Sequence, residues 1–140
     1  MSIMTRRGFT GFLAASACIV AVPALAAEPV AATIAEVRNC KRLLIDIREA
    51  EEWIRTGVPQ GAKLLSMNDF DFDEQLQELT GGDRNRPVAL LCRIGVPAEP
   101  LRKRLKIRGY SNVTVIEGGL LGDGRHVGWI AAGLPVEKYR

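Results

Sequence analysis

The 140 residues, 47% of them hydrophobic, provide for one domain with its own core and are too few for two comfortable ones. The formal charge of +3 is unevenly spread: the first 26 residues hold Arg6 and Arg7 and no acid, and the remainder carries 17 basic against 16 acidic residues. A body this close to neutral argues against a nucleic-acid binder, whose affinity would rest on a large positive excess.

The chain opens as an export signal. "MTRRGFT" precedes an apolar run from Phe9 to Val22, and Ala24 and Ala26 put small residues where a signal peptidase reads them, so cleavage is expected after Ala26. The pair Arg6–Arg7, followed by Gly8 and Phe9, has the form of a bacterial twin-arginine signal and points to the periplasm, with contact to the membrane only during export. Two other readings compete: ordinary Sec export, and an uncleaved anchor, since residues 8–27 approach the length of a membrane span. A lipoprotein site at Cys18 is weaker, because Ala15 stands where a larger aliphatic is usual.

The mature chain, residues 27–140, retains Cys40 and Cys92. Export invites a disulfide. Cys40 precedes one strand, however, and Cys92 ends a parallel one, which places them at opposite sheet edges and beyond bonding distance.

Thr33 with Glu36 three residues on has the pattern of a capping box opening a short helix. "RLLIDIRE" is an apolar run of the kind buried on both faces of a parallel sheet. "EAEEWIRTG" is helical in composition, anchored by Trp53 and stopped by Gly57, and "AKLLSM" is a second short strand. "NDFDFDEQLQELTGG" has acids ahead of Leu76 and Leu79 and two closing glycines, which predicts a helix of roughly two to three turns. "RPVALLC" is again an apolar strand, "AEPLRKRLKIRGY" an amphipathic helix with Leu101 and Leu105 inward, and "NVTVIEGG" a further strand. The five basic residues from Arg102 to Arg108 complement the dipole at that helix's end and form a solvated face. The tail contains a Gly-rich loop, a short helix around Trp129 and an extended end after Pro135. This alternation predicts a three-layer α/β domain with a mainly parallel central sheet.

In such sheets ligands gather at the carboxyl ends of the strands, where loops lead into helix N-termini. Cys92 stands at such an end. Gly95 permits a tight bend, and the backbone N–H groups of "RIGVPAEP" can converge on the sulfur and lower its pKa. The alternative is a buried cysteine packing as a small hydrophobe. Neither a metal-ligand cluster nor a dinucleotide or P-loop fingerprint is present, so no metal and no cofactor is expected.

"LLIDIREAEEWIRTGVPQGA", "VALLCRIG", and "LKIRGYSNVTVIEGG" with "GWIAAGLPV" occur in the order seen in the rhodanese family, which this sequence resembles over nearly all of residues 27–140. The resemblance implies that Cys92 is the sulfur-carrying nucleophile and that Arg93, Ile94, Gly95 and Val96 form the substrate-facing loop. It implies sulfane-sulfur transfer from a donor such as thiosulfate to a thiol or cyanide through a Cys92 persulfide, with a small sulfur-containing anion or thiol, or a partner protein, as the other reactant. A catalytically weak binding or sulfur-accepting module is the alternative, and redox sensing by Cys92 is a third reading. Family loops active on thiosulfate often continue with a second Arg and then Ser or Thr, where this chain has Pro97 and Ala98. Ala98 also stands where a phosphatase of this fold needs an arginine. Asp46 and Arg48 are expected to be structural, with Arg48 paired to Glu49, Glu51 or Glu52. Trp53 and Trp129 are expected in the core, and His126 in an exposed loop.

Overall fold

The computed structural model describes residues 28–140, with side chains from position 32 onward. The signal peptide, its twin-arginine pair and the cleavage point lie outside the described residues. Helix α1 (Glu28–Arg38) leads into strand β1 (Leu43–Asp46), helix α2 (Ala50–Thr56), and strands β2 (Val58–Pro59) and β3 (Lys63–Leu64). Helix α3 (Phe72–Thr80), strand β4 (Val88–Leu91), helix α4 (Ala98–Ile107), and strands β5 (Val113–Val115) and β6 (Val136–Glu137) follow.

The central sheet has the order β3-β1-β4-β5, and every neighbouring pair is parallel. Period-two alternation divides its side chains between two cores. Ile45, Ile47, Val88 and Leu90 meet Phe72, Leu76, Leu101 and Leu105 of α3 and α4. Leu44, Ala89 and Leu91 meet Ile34 of α1, together with Ile116, Leu120 and Trp129. Covering both faces explains the unbroken apolar runs, and gives the expected three layers.

Three local expectations are corrected. Thr33 is not the cap of the first helix but lies inside α1, which begins at Glu28. Pro29 fits the first turn, where its missing N–H has no helical partner to lose, and Ala31 and Ala32 carry the helix on. Around Trp129 the chain makes successive turns over 129–133 instead of a helix. Gly128 and Gly133 bracket that short segment, and its backbone closes through Ala132 N–H to Gly128 O and Gly133 N–H to Ile130 O. Trp129 is nonetheless buried, its Nε1–H donating to Pro135 O at 3.0 Å. Arg48, thirdly, pairs with none of the three expected glutamates. Its Nη2 and Nε bind Asp46 Oδ2 and Oδ1 at 2.6 and 2.8 Å, and it reaches Thr56 Oγ1 and Gly57 O at 2.7 and 2.8 Å.

Two elements have no periodic signal in the sequence. β2 and β6, two residues each, pair antiparallel away from the main sheet and bring the end of the chain back to the end of α2. There Tyr139 packs edge-on against Trp53, ring centroids 5.6 Å apart.

Candidate functional site

Between β1 and β4 the strand order reverses. From β1 the chain adds β3 on one side, then returns to place β4 and β5 on the other. Loops leaving the carboxyl ends of β1 and β4 therefore diverge and leave a crevice between them. Cys92 follows β4 directly, so it stands at that crevice. Alternation along β4 puts its side chain on the face of Val88 and Leu90, beneath the start of α4.

The following loop wraps the sulfur. Gly95 N–H donates to Cys92 Sγ at 3.0 Å, with the N–H groups of Ile94 and Ala98 also directed at it. Gly95 has φ +89° and Pro97 takes the N-cap position of α4 in a helical conformation. The lost Pro97 N–H therefore leaves three donors, and Ala98, singled out in the sequence for the arginine it replaces, supplies one of them. Behind the loop, Leu120 and Leu121 N–H groups bond Cys92 O and Arg93 O at 2.9 Å each. Gly119, at φ +56°, allows this approach: a Cβ there would lie 2.7 Å from Gly95 N and also overlap Cys92 O.

The expectation of a depressed thiol pKa is not met. Burial pushes the Cys92 thiol up, the three amides pull it down by less, and the Asp46 carboxylate adds a further upward push. At 2% exposure the sulfur loses more hydration than the cradle returns. The cradle remains well placed for negative charge that develops during a reaction.

Among the other predicted residues, Gly95 is buried with the sulfur, while Ile94 and Val96 are 37% and 65% exposed. Arg93 is exposed, and its guanidinium makes no hydrogen bond or ion pair among the described residues. Cys40 and Cys92 are both free, one exposed and one buried. No group of three or more His, Cys, Asp or Glu that could hold a metal ion occurs among the described residues.

Sequence reasoning missed a groove of about 610 Å³ that touches the loop at Gly95 and Val96 and runs along β5. Cys92 does not line it, so the chemistry and the largest space adjoin without coinciding. His126 does line it. Its Nδ1 lies 2.9 Å from Asp123 Oδ2 and its Nε2 3.3 Å from Glu117 Oε2, and Asp123 holds the imidazolium above its ordinary pKa. The spacing Asp123-x-x-His126 was the available signal, but nothing in the sequence places it beside β5.

Comparison with known proteins agrees with this geometry. A family model described as a rhodanese-like domain matches residues 30–123. The RP600 homolog of Rickettsia rickettsii, itself uncharacterized, is 26% identical over 105 residues, 71% of this chain and 85% of the relative. Rv0390 from M. tuberculosis has a similar structure (TM-score 0.61, 26% identity, 79% of this chain and 95% of that one). So does the polysulfide-sulfur transferase homodimer of Wolinella succinogenes (TM-score 0.59, 26% identity, 78% of this chain and 74% of that one). A family match that starts in α1 and ends beyond β5 takes in the whole central sheet and the Cys92 loop, and the chain belongs to the rhodanese-like domain family.

Proposed function

We propose that the protein is a sulfurtransferase that carries sulfane sulfur on Cys92. The observation that carries this reading is the convergence of the Gly95, Ile94 and Ala98 N–H groups on a strand-end sulfur. The Cys92 thiolate attacks a sulfane sulfur of the donor, the donor's S–S bond breaks, and sulfite leaves if the donor is thiosulfate. A shorter polysulfide leaves if the donor is a polysulfide. A thiolate or cyanide then attacks the outer sulfur of the Cys92 persulfide and releases Cys92 as a thiolate, which the three amides stabilise. No acid–base residue has to activate the nucleophile.

The sites of Pro97 and Ala98 bear on the donor. A thiosulfate sulfonate gains little here beyond the exposed Arg93, whereas a polysulfide has no sulfonate to hold. Similarity to a polysulfide-sulfur transferase supports the latter class. The experiment is turnover of thiosulfate and of polysulfide with cyanide as acceptor, beside Cys92→Ala, with intact-mass measurement after donor treatment. A gain of one sulfur by the wild type and none by Cys92→Ala is expected; equal turnover and no added sulfur would sink the reading.

The raised thiol pKa favours a second reading, a catalytically weak module that accepts sulfur from a partner protein. It predicts sulfur uptake from a protein persulfide and none from either small donor. Export belongs to the proposal as well: protein recovered from the periplasm should begin at Ala27 by N-terminal sequencing.

A further inference from the structure

Strand β5 is an edge of the central sheet. Its inner side is committed to β4: Val88 N–H donates to Asn112 O and Ile116 N–H to Leu90 O, each at 2.9 Å. In a parallel strand the backbone groups of alternate residues point to opposite sides, so the N–H and C=O groups of Val113 and Val115 face away from β4. Natural edges are usually blunted by lysine, proline or a bulge. "NVTVI" has no lysine and no proline, and it pairs with β4 in continuous register.

The 610 Å³ groove follows this outer side. Val113 and Val115 form part of its floor, Glu99 and Arg102 of α4 contribute to its lining, and Gly95 closes the end nearest the sulfur. Its charge is also one-sided. Glu99, Glu117 and Asp123 line it against Arg102 and His126, so acids exceed bases even with His126 protonated. Arg102 is already held by Glu99 at 2.5 Å, and His126 by Asp123. Small anions such as thiosulfate gain nothing from this lining.

We propose that the groove binds an extended basic segment of a sulfur-accepting protein, added to β5 as a further strand, with a cysteine of that segment at the Gly95 end. Backbone pairing along an open edge supplies affinity and alternate side chains supply selection, while the acidic lining selects lysine or arginine. The assignment rests on the Cys92 persulfide reading for its chemistry. The segment's thiolate attacks the outer sulfur of the persulfide, the Cys92 S–S bond breaks, the electron pair returns to Cys92, and the sulfur leaves as a persulfide of the segment. No oxidant or reductant is consumed.

The test uses the full chain and a fluorescent synthetic peptide of alternating valine and lysine, ending in serine for binding and in cysteine for transfer. Binding should weaken about tenfold, the loss of roughly one or two backbone hydrogen bonds, when the peptide is N-methylated along one edge. A similar loss is expected for glutamate in place of lysine, for Val115→Pro and for Glu117→Lys. Val115→Pro removes an outward N–H and leaves the β4 ladder intact. Glu117→Lys is a surface change and N-methylation leaves the protein untouched, so a misfolded proline variant does not decide the matter. Binding indifferent to N-methylation overturns the proposal. So does absence of binding, whether or not the chain instead dimerises through an edge that Val115→Pro disrupts.

In the transfer arm, sulfur loaded on Cys92 should pass to the cysteine peptide about tenfold faster than to dithiothreitol, an advantage lost with the N-methylated peptide. If loaded Cys92 serves cyanide but gives the peptide no advantage, the groove assignment fails and the persulfide reading stands. If Cys92 never takes up sulfur while the peptide binds with the expected sensitivities, the persulfide reading fails and the groove assignment stands.

Discussion

At Cys92 two opposing effects act on one sulfur. Burial raises the thiol's pKa, and three backbone amides only partly offset it, so the resting group is a thiol. Iodoacetamide should therefore modify Cys92 more slowly than the exposed Cys40 at neutral pH, with a rate that climbs through and beyond the usual thiol range; peptide mass spectrometry separates the two sites. The effect on stability has a definite sign. The unfolded chain releases this proton at lower pH than the folded one, so the contribution is complete below the usual thiol pKa and is lost as pH rises above it. Pro97 makes the second residue-scale prediction. Pro97→Arg restores a guanidinium to an exposed loop position, and a charge-assisted contact of about 1.5 to 3 kcal/mol should raise thiosulfate kcat/KM roughly ten- to a hundredfold. An unchanged value would show that the sulfonate is bound elsewhere.

Among the elements, the end of β1 is tied to the end of α2 by one buried pair. Asp46 and Arg48 are fully and almost fully buried, and Arg48 continues to Thr56 Oγ1 and Gly57 O. Asp46→Ala would leave a buried guanidinium without its counter-ion and should cost about 3 to 5 kcal/mol in urea unfolding. Asp46→Leu combined with Arg48→Met should recover much of that loss, because an apolar pair carries no desolvation penalty. The turn after β5 is as constrained as this pair. Gly119→Ala is strained at φ +56° and pushes a methyl group into the backbone of the Cys92 loop. Sulfur uptake by that variant should fall by more than its unfolding free energy implies, since the displaced backbone is the one that holds the sulfur.

For the molecule as a whole, closure depends on the chain's end. β6 pairs with β2, Tyr139 packs on Trp53, and Trp129 donates to Pro135 O. Tyr139→Ala should destabilise by about 0.5 to 1.5 kcal/mol beyond its lost area, followed by tryptophan fluorescence during denaturation. Sulfur uptake should change little, because this contact lies at the end of α2 and none of the cradle residues takes part in it. Loss of uptake in step with Cys92→Ala would show that the closure and the cradle are coupled.

The apolar runs of β1 and β4, the glycine stops and the inward leucines of α4 are local patterns, and they were enough to establish the layered parallel sheet. Cys92 was legible for the same reason: strand end, Gly95 and helix start are consecutive in the chain. Arg48's true partner was not, although Asp46 is only two residues away, because the choice among four nearby acids is made by burial and not by spacing. Nor was the rise in the thiol's pKa, since amide count can be guessed from a loop while desolvation depends on what covers it. The β2–β6 pair is too short to show a period, and Thr33 fits a capping box that the upstream alanines override. The groove was the least legible feature of all. It exists because strand order leaves β5 at the edge, and because folding brings Glu99, Glu117, Asp123 and His126 together from two separate stretches of chain.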